Sequence, residues 1–541
     1  MLRKLRFFMD AAYRRRENDQ EPAGACAAPK PKKQIFAQSL QQNVDDMKAL
    51  LGSSDDLKVH YFQFGPENCL AAALIFIDGL IDNPTLTDAI LRPLMNWEVQ
   101  PESLPPSAKL LETLGGEVLC AATIENAKAP ADLVSNCLMG DVVLLMEGCA
   151  GGLSINAKGW EKRSVSEPAS ETVVRGPREG FTENLRTNTA LIRRKIRNGG
   201  LRVEQMTVGR KTHTCICLVY LKDVANPKVV ETVKYRIGSL DVESILETGY
   251  IEEYIEDAPF SPFATIGYSE KPDVVAAKIL EGRVAIVVDG TPFVLTAPML
   301  FVESFQTAED YYTRPFFASG LRLLRYIAYI LTVFAPAIFI ALTAFHQELI
   351  PTTLLLRIAK AREGTPFPVL VEALIMIFAF EILREAGVRL PRPVGQAISI
   401  VGALIMGDAA VSAGIVGAPM VITVAITAVA GFLVPSQSDS SSMLRIFMMI
   451  PASFVGFYGL TFGVLALLVH LASLESFGVP FFDSFSHASD MQDTLIRTPL
   501  WFMNKRPQRI ACGDTTRGHF FIPPLRPYAK DADSTKGGTG A

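Results

Sequence analysis

A chain of 541 residues with 49% hydrophobic side chains and a mean hydropathy of +0.25 is too apolar for an ordinary soluble enzyme and too polar for a chain lying wholly in lipid. Its formal net charge of −4, with the basic residues not gathered into an aromatic-interleaved face, excludes nucleic acid as the expected partner. Eight cysteines without a C-x-x-C pair point to a reduced, cytoplasmic soluble part.

Residues 1–33 carry Arg3, Lys4, Arg6, Arg14, Arg15, Arg16, Lys30, Lys32 and Lys33 among Ala and Pro, and cannot build a core. They read as a solvated tail or as one drawn weakly to anionic lipid. Met1–Asp10 has only Phe7–Met9 as an apolar run, so no secretory signal is expected and the following domain is expected to stay cytoplasmic. A first subdomain is expected over 34–165: Cys69–Ile77 reads as a buried strand ending in the Asp78-Gly79 turn, Thr87–Met95 as a helix and Asp141–Met146 as a further strand of the same sheet.

A second subdomain, 166–308, opens on a polar stretch punctuated by Pro and Gly. Arg175 and Arg178 could make an anion site there, but Glu171, Glu179 and Glu183 lie close enough in sequence to neutralise both, which favours a structural or subunit-contact role. Phe181–Asn198 reads as a helix with Leu185, Ile192 and Ile196 at core spacing and Arg193, Arg194, Lys195 and Arg197 on its last turns. Thr212–Leu221 alternates as a half-buried strand that includes His213, a surface or packed residue with no second ligand beside it. Cys215 and Cys217 share one face as buried thiols. Pro227–Ile237 reads as a helix, and Val284–Val288 as a strand before the Asp289-Gly290 turn. Strands alternating with helices predict α/β layering in both subdomains.

The linker 309–320 mixes Tyr311, Tyr312 and Phe316 with Arg314, a combination suited to a membrane interface. From Tyr326 to Phe345 no residue is charged, and at about 1.5 Å per residue that run covers roughly 30 Å, so Leu321–Phe345 is the first expected transmembrane helix, with Arg322 and Arg325 on the cytoplasmic side and Pro336 inside it. The membrane block 321–474 continues with the amphipathic Pro351–Glu363 and then Pro366–Gly387, which is apolar except for Glu372 and Glu381 and reads as a short helix packed on protein. At helical spacing these carboxylates fall on opposite faces and cannot act as a catalytic pair. Glu381 is expected to pair with Arg384, and Glu372 to need another chain or a wet cavity. Val394–Val416 and Val421–Val434 are separated by the hairpin signal Gly417-Ala418-Pro419. Met443–Leu474 is the longest apolar segment, with Gly456, Gly459 and Gly463 allowing close helix contact. Either four spans and a re-entrant helix put both ends in the cytoplasm, or five spans put the 475–541 tail opposite. Arg497, Lys505, Arg506 and Arg509 favour four. The tail is expected to be disordered beyond about Pro527.

No G-x-x-x-x-G-K-[ST] occurs, His346-Gln347-Glu348 lacks the second histidine of a zinc motif, and no G-x-G-x-x-G follows a strand. No catalytic, cofactor or metal site is expected. Val394, Ile398, Val401 and Ile405 line one helical stripe that ends at Asp408, opposite the small residues Gly395, Ser399, Gly402 and Ala403. Taken alone, that stripe reads as facing lipid or a bundle core.

The stretches ALIFIDGLID (73–82), VVRGPREGFTENLRTN (173–188), ILEGRVAIVVDGTPFVL (279–295), EDYYTRPFFASGLRLLR (309–325), FHQELIP (345–351), FEILREAGVRLPRPVGQAISIVGALIMGDAAVSAGIV (380–416) and SFGVP (476–480) closely resemble the A subunits of GerA-type spore germinant receptors. The resemblance runs in order from about Gln34 to Pro507. It implies a two-part α/β N-terminal domain followed by an α-helical multi-span membrane domain, in the inner membrane of the endospore. It also implies a transporter-like B subunit and a lipoprotein C subunit as partners, and a ring of A subunits forming a nutrient-gated cation channel. In such a ring the 394–405 stripe becomes a dewetting gate, and Asp408 a collar that concentrates cations. Arg175, Arg178, Glu179, Arg314 and Glu372 become candidates for assembly and coupling. The RGPREGF loop looks more like the receptor class than like the stage V sporulation AF paralogues. A stage V sporulation AF-type paralogue that amplifies germination and a structural scaffold of the germination complex are the alternatives.

Overall fold

The structure, a computed structural model, describes residues 36–97, 106–121, 123–127, 129–159, 168, 171–389, 405–483, 493–507 and 509–517. The basic tail, the end of the chain beyond 517, and Val394, Ile398 and Val401 lie outside them. Two compact units divide the chain. The first takes the described residues up to Leu50 with Val59–Phe76 and Asn83–Ala157; the second takes Leu51–Lys58, Ile77–Asp82 and everything described from Lys158 on.

The first unit is built on β1 (Leu57–Phe64), β2 (Leu70–Ile77), β3 (Ile124–Ala127), β4 (Asp141–Met146) and β5 (Gly152–Asn156), in the order β1-β2-β4-β5-β3. The central strand β4 is buried along its whole length, which is why its sequence is apolar without alternation. Helix α1 (Leu40–Leu51) precedes β1 in sequence, and α2 (Pro130–Leu138) connects β3 to β4. The expected helix over Thr87–Met95 starts earlier, at Asn83, and carries a π-helical turn over Leu86–Leu91.

The second unit repeats the plan. Strands β6 (Leu201–Val208), β7 (Thr214–Leu221), β8 (Gly267–Ser269), β9 (Val284–Val288) and β10 (Val294–Ala297) are ordered β6-β7-β9-β10-β8, the same permutation as the first sheet. Sequence marks recur at matching places: Asn83-Pro84 and Asn226-Pro227 follow the second strand of each sheet, and Pro130 and Pro272 open the helix before each central strand. Asn226 accepts a hydrogen bond from Lys228 N and so caps its helix.

Both faces of the second sheet are covered. Helices α3 (Leu185–Lys195) and α6 (Pro272–Leu280) pack Leu191, Ile192, Val275 and Ile279 on the Cys217, Val219, Ala285 and Val287 face. Helices α4 (Pro227–Gly238) and α5 (Thr248–Ile255) pack Val229, Val233, Ile237 and Ile251 on the face of Ile216, Leu218, Ile286 and Val288. α3 is shorter than Phe181–Asn198, because Asn184 caps it and Ile196 leaves the helical region. Cys217 is buried and its thiol is pushed up to about 12 by burial; Cys215 is partly exposed. His213 sits in the turn before β7, not on the strand, at φ 46.

The stretch after the last apolar helix completes this subdomain instead of forming a separate tail. Its short strands β11 (Glu475–Ser476) and β12 (Val479–Pro480) pair with each other. Phe477, Val479 and Ile510 join one core face and Ala511 the other, while Cys512 N donates to Val224 O at 3.1 Å.

Beyond the sheets come α7 (Pro315–Ala344), α8 (Thr352–Arg362), α9 (Val369–Arg389), a helical stretch over 405–412, α10 (Ala418–Gly431), α11 (Ser438–Val455) and α12 (Phe457–Ser473). α7 is 30 residues long and begins before Leu321; among the described residues it is the one helix that alone is long and apolar enough to cross a membrane. α10 and the run Pro435–Val455 pass the same test only as a pair bent by 113°. The expected long segment Met443–Leu474 is broken at Gly456 into α11 and α12. Gly456 adopts φ 64, and a Cβ there would lie 2.8 Å from Phe345 Cβ and from His346 Cε1. The core of this part runs along the Tyr329, Val333, Ala337 and Ile340 stripe of α7, against Val424 of α10 and Met448 and Ala452 of α11.

Candidate functional site at the foot of the long helix

Pro315 starts α7, and the helical spacing of Arg322 and Arg325 turns both toward the turn Glu309–Tyr312 just before it. Arg322 is fully buried. Its Nε donates to Asp310 at 3.2 Å, and its Nη1 donates to the Asp493 carbonyl at 2.6 Å and to the Asp493 carboxylate at 3.0 Å. Arg325 grips the same Asp310 at 2.9 and 3.0 Å and reaches Phe305 O at 3.0 Å. Tyr311 donates from Oη to Asp493 at 2.7 Å, and the guanidinium groups of Arg322 and Arg497 lie 6.0 and 5.7 Å from its ring centroid. Burial and then the Asp493 charge push the Tyr311 phenol above its ordinary value, so it remains a donor. Next to this knot Phe305 stacks on Tyr326 at 4.2 Å, and Phe301 meets Tyr329 edge-on at 6.3 Å.

The loop carrying Arg175 lies against the same turn. The backbone N–H groups of Val174 and Arg175 donate to Glu309, and a Cβ at Gly176 (φ 146) would stand 2.7 Å from the Tyr312 ring. Tyr312 donates to Asp273, and its phenol is pushed up by burial and by that bond. Arg175 and Arg178 are exposed, and two of the loop acids have partners of their own. Glu179 pairs with Arg194 at 3.4 Å and Lys195 at 3.0 Å, and Glu171 accepts from Ser269 at 2.6 Å. Burial raises Glu171 above the usual carboxylate range. Arg314 is exposed at the N-cap of α7.

Two further ionic sites lie among the apolar helices. Glu372 is fully buried but needs neither another chain nor a wet cavity: Arg362 of α8 donates to it at 3.1 Å, and Gly417 N at the start of α10 at 3.1 Å. Glu381 pairs with Arg384 as the spacing predicts, and Arg445 of α11 stands 3.8 Å away. Of the candidate gate stripe, Ile405 and Asp408 are described, and both are exposed. Sequence reasoning did not single out Asp310, Asp493 or Arg445. Arg445 is a lone cation inside an apolar segment, which was a usable signal; the meeting of Asp310 with Asp493 is a product of tertiary folding and left none. Among the described residues no group of His, Cys, Asp and Glu could hold a metal ion. In this junction Asp310 and Asp493 accept from guanidinium and hydroxyl donors, and Glu309 accepts from backbone N–H groups.

A family model described as Bacillus/Clostridium GerA spore germination protein matches residues 45–509. This chain belongs to the GerA family. Spore germination protein KA of Bacillus subtilis (strain 168) is 44% identical over 487 residues, 89% of this chain and 89% of that protein. Uncharacterized membrane protein YfkQ of the same organism is 40% identical over 493 residues, 89% and 93% of the two chains. The crystal structure of the N-terminal domain of the A subunit of the Bacillus megaterium spore germinant receptor GerK3 is similar at 36% identity, covering 50% of this chain and 98% of that one, with a TM-score of 0.41. As a germinant-receptor A-subunit family member, this GerA protein supports spore germination.

Proposed function

We propose that this GerA protein is the channel-forming A subunit of a nutrient-responsive germinant receptor in the inner membrane of the endospore. It oligomerises with its own kind and works with a transporter-like B subunit and a lipoprotein C subunit. The observation that carries the reading is the Asp310–Arg322–Asp493 knot, which ties the α/β subdomain, the start of α7 and the returning tail at one end of the apolar helices. A displacement in the soluble part therefore reaches α7 through buried ionic contacts, which is what coupling of nutrient sensing to a gate requires. Val394, Ile398, Val401, Ile405 and Asp408 are assigned to the pore and Arg175, Arg178, Glu179, Arg314 and Glu372 to assembly and coupling.

The apolar helices are further proposed to form a multi-span domain with an even number of crossings. α7 leaves the second subdomain, and the chain returns to that subdomain after α12. His470 of α12 meets Ser261 at 2.9 Å, and Ser476 donates to Thr265 O at 2.7 Å. This supports four spans with a re-entrant helix over five, a topology in which the described tail lies on the side of the N-terminal domain. Recording from the purified protein in planar bilayers, with and without its partner subunits, tests the channel. Cation conductance is expected; a well-folded, reconstituted oligomer with no conductance under any combination would leave a scaffold.

A further inference from the structure

At about 1.5 Å per residue the 30 residues of α7 span about 45 Å, longer than the roughly 30 Å hydrocarbon core and close to the thickness of a bilayer with its headgroups. The uncharged part of α7 from Tyr326 fills the core, which leaves Pro315–Arg325 at headgroup level on the side of the α/β subdomain.

The returning tail is fastened at that level. Arg497 N donates to Ser319 Oγ at 3.1 Å, Ser319 Oγ donates to Arg497 O at 3.2 Å, and Arg322 holds the Asp493 and Thr494 carbonyls. On either side of this stretch the tail buries Phe481, Met503, Ile510 and Ala511. From Ile496 to Phe502 it does the opposite. Ile496 is 63% exposed, and Leu500, Trp501 and Phe502, on one short helical turn after Pro499, are about half exposed. On α7 one turn before Ser319, Phe316 and Phe317 are 90% and 61% exposed. Arg314 and Lys505, at the two ends of this display, are exposed cations.

We propose that Ile496–Phe502 is an interfacial membrane anchor, seated in the headgroup layer beside the start of α7, with an anionic lipid surface as its partner. Resting on the membrane reading above, the assignment follows from three things together. The segment is fixed at the level that the length of α7 gives to the headgroups. It exposes an aromatic and aliphatic set of the kind that partitions there, Trp501 among them. The exposed cations Arg314 and Lys505 stand beside it, while the nearby acid Asp493 is held by Arg322. A second copy of the chain is the competing occupant.

The test uses the full chain reconstituted in liposomes containing phosphatidylglycerol, with lipids brominated either high on the acyl chain or near its end. Trp501 is isolated as the sole tryptophan by Trp97→Phe and Trp160→Phe. If that variant folds poorly, it is read instead as the difference between the parent and Trp501→Phe. The expected result is loss of about half of the Trp501 emission with shallow bromines and much less with deep ones, strengthened by phosphatidylglycerol over phosphatidylcholine. Protein that floats with the liposomes while Trp501 stays unquenched, whether in water or under a second copy, overturns the anchor and leaves the membrane reading standing. Protein that does not float at all overturns both.

Discussion

Arg445 Nε lies 3.1 Å from the carbonyl oxygen of Thr332, the carbonyl that Pro336 leaves without a helical donor four residues on. A proline in the middle of an apolar helix costs that bond, and in a medium without water the orphaned oxygen must find another partner. α11 supplies it with a cation that is itself buried and balanced by Glu381 of α9. One side chain thus joins α7, α9 and α11. Arg445→Leu is expected to lower the stability of the helical part by about 2–4 kcal/mol, from the unsatisfied carbonyl and the weakened Glu381 pairing. Pro336→Ala restores an N–H for Thr332, so Arg445→Leu should cost about 1 kcal/mol less in that background, measured as a double-mutant cycle of thermal unfolding in detergent. Strict additivity would mean that the Arg445 contact and the proline are unrelated.

The α11–α12 hairpin depends on glycines to unequal degrees. A Cβ on Gly459 would fall 2.1 Å from Pro451 O, a backbone atom that cannot swing away, whereas one on Gly463 would meet Met448 Sδ at 2.9 Å, the flexible part of a side chain. Gly459→Ala is therefore expected to open the hairpin at a cost of about 3 kcal/mol, and Gly463→Ala to cost about 1 kcal/mol or less. Thermal shifts of the two variants, run side by side, check the ranking, and equal shifts would contradict it.

Glu252 on α5 gives the soluble part a pH dependence. Burial, then the charges of Glu256 and Glu247, raise it from 4.5 to about 7. The folded state keeps a proton up to about pH 7 that the unfolded chain releases near 4.5. Between these values the folded form binds more protons, and stability falls as pH rises. Allowing for solvent screening of a half-buried group, the loss across this window is about 1–2 kcal/mol. Glu252→Gln should flatten the profile and stabilise the protein above pH 7, read from hydrogen exchange of the β9 amides at several pH values. An unchanged slope would show that Glu252 ionises freely.

Elements whose periodicity is set locally were legible in the sequence. β4 and β9 have the expected bounds because each is a buried apolar run closed by a Gly turn, and Glu381 meets Arg384 because the two are one helical turn apart. What composition hid is what tertiary context decides. Met443–Leu474 is apolar throughout, and only the fit of Gly456 beside His346 and Phe345 shows where it folds back. The 475–517 segment looked like a tail because its apolar residues are sparse, yet Phe477, Val479 and Ile510 fill positions in a core formed by distant strands. The repeated strand order was written in the paired Asn-Pro and helix-opening Pro marks, but these are short signals set in otherwise divergent sequence. At the candidate site, Arg175, Tyr312 and Arg314 drew notice by residue type, whereas the knot required Asp493 to arrive from 171 residues beyond Arg322.

Glu372 closes a clamp between three helical elements, and the clamp predicts different outcomes for two substitutions. Oε1 accepts from Arg362 and, at 3.3 Å, from Thr365; Oε2 accepts from Gly417 N, where the N-terminus of α10 favours a negative group. Arg362 is itself only partly exposed, so removing the carboxylate strands a guanidinium and an amide together. Glu372→Ala is expected to destabilise the helical part by about 3–5 kcal/mol. Glu372→Gln keeps an acceptor for the amide and loses only the charge, so about 1–2 kcal/mol is expected. The same loss should free α8, making the peptide bond after Arg362 several-fold more sensitive to trypsin in Glu372→Ala than in the parent, with Glu372→Gln between them. Equal effects of the two substitutions on both the melting temperature and the cleavage rate would show that the charge is immaterial and that Glu372 only fills space.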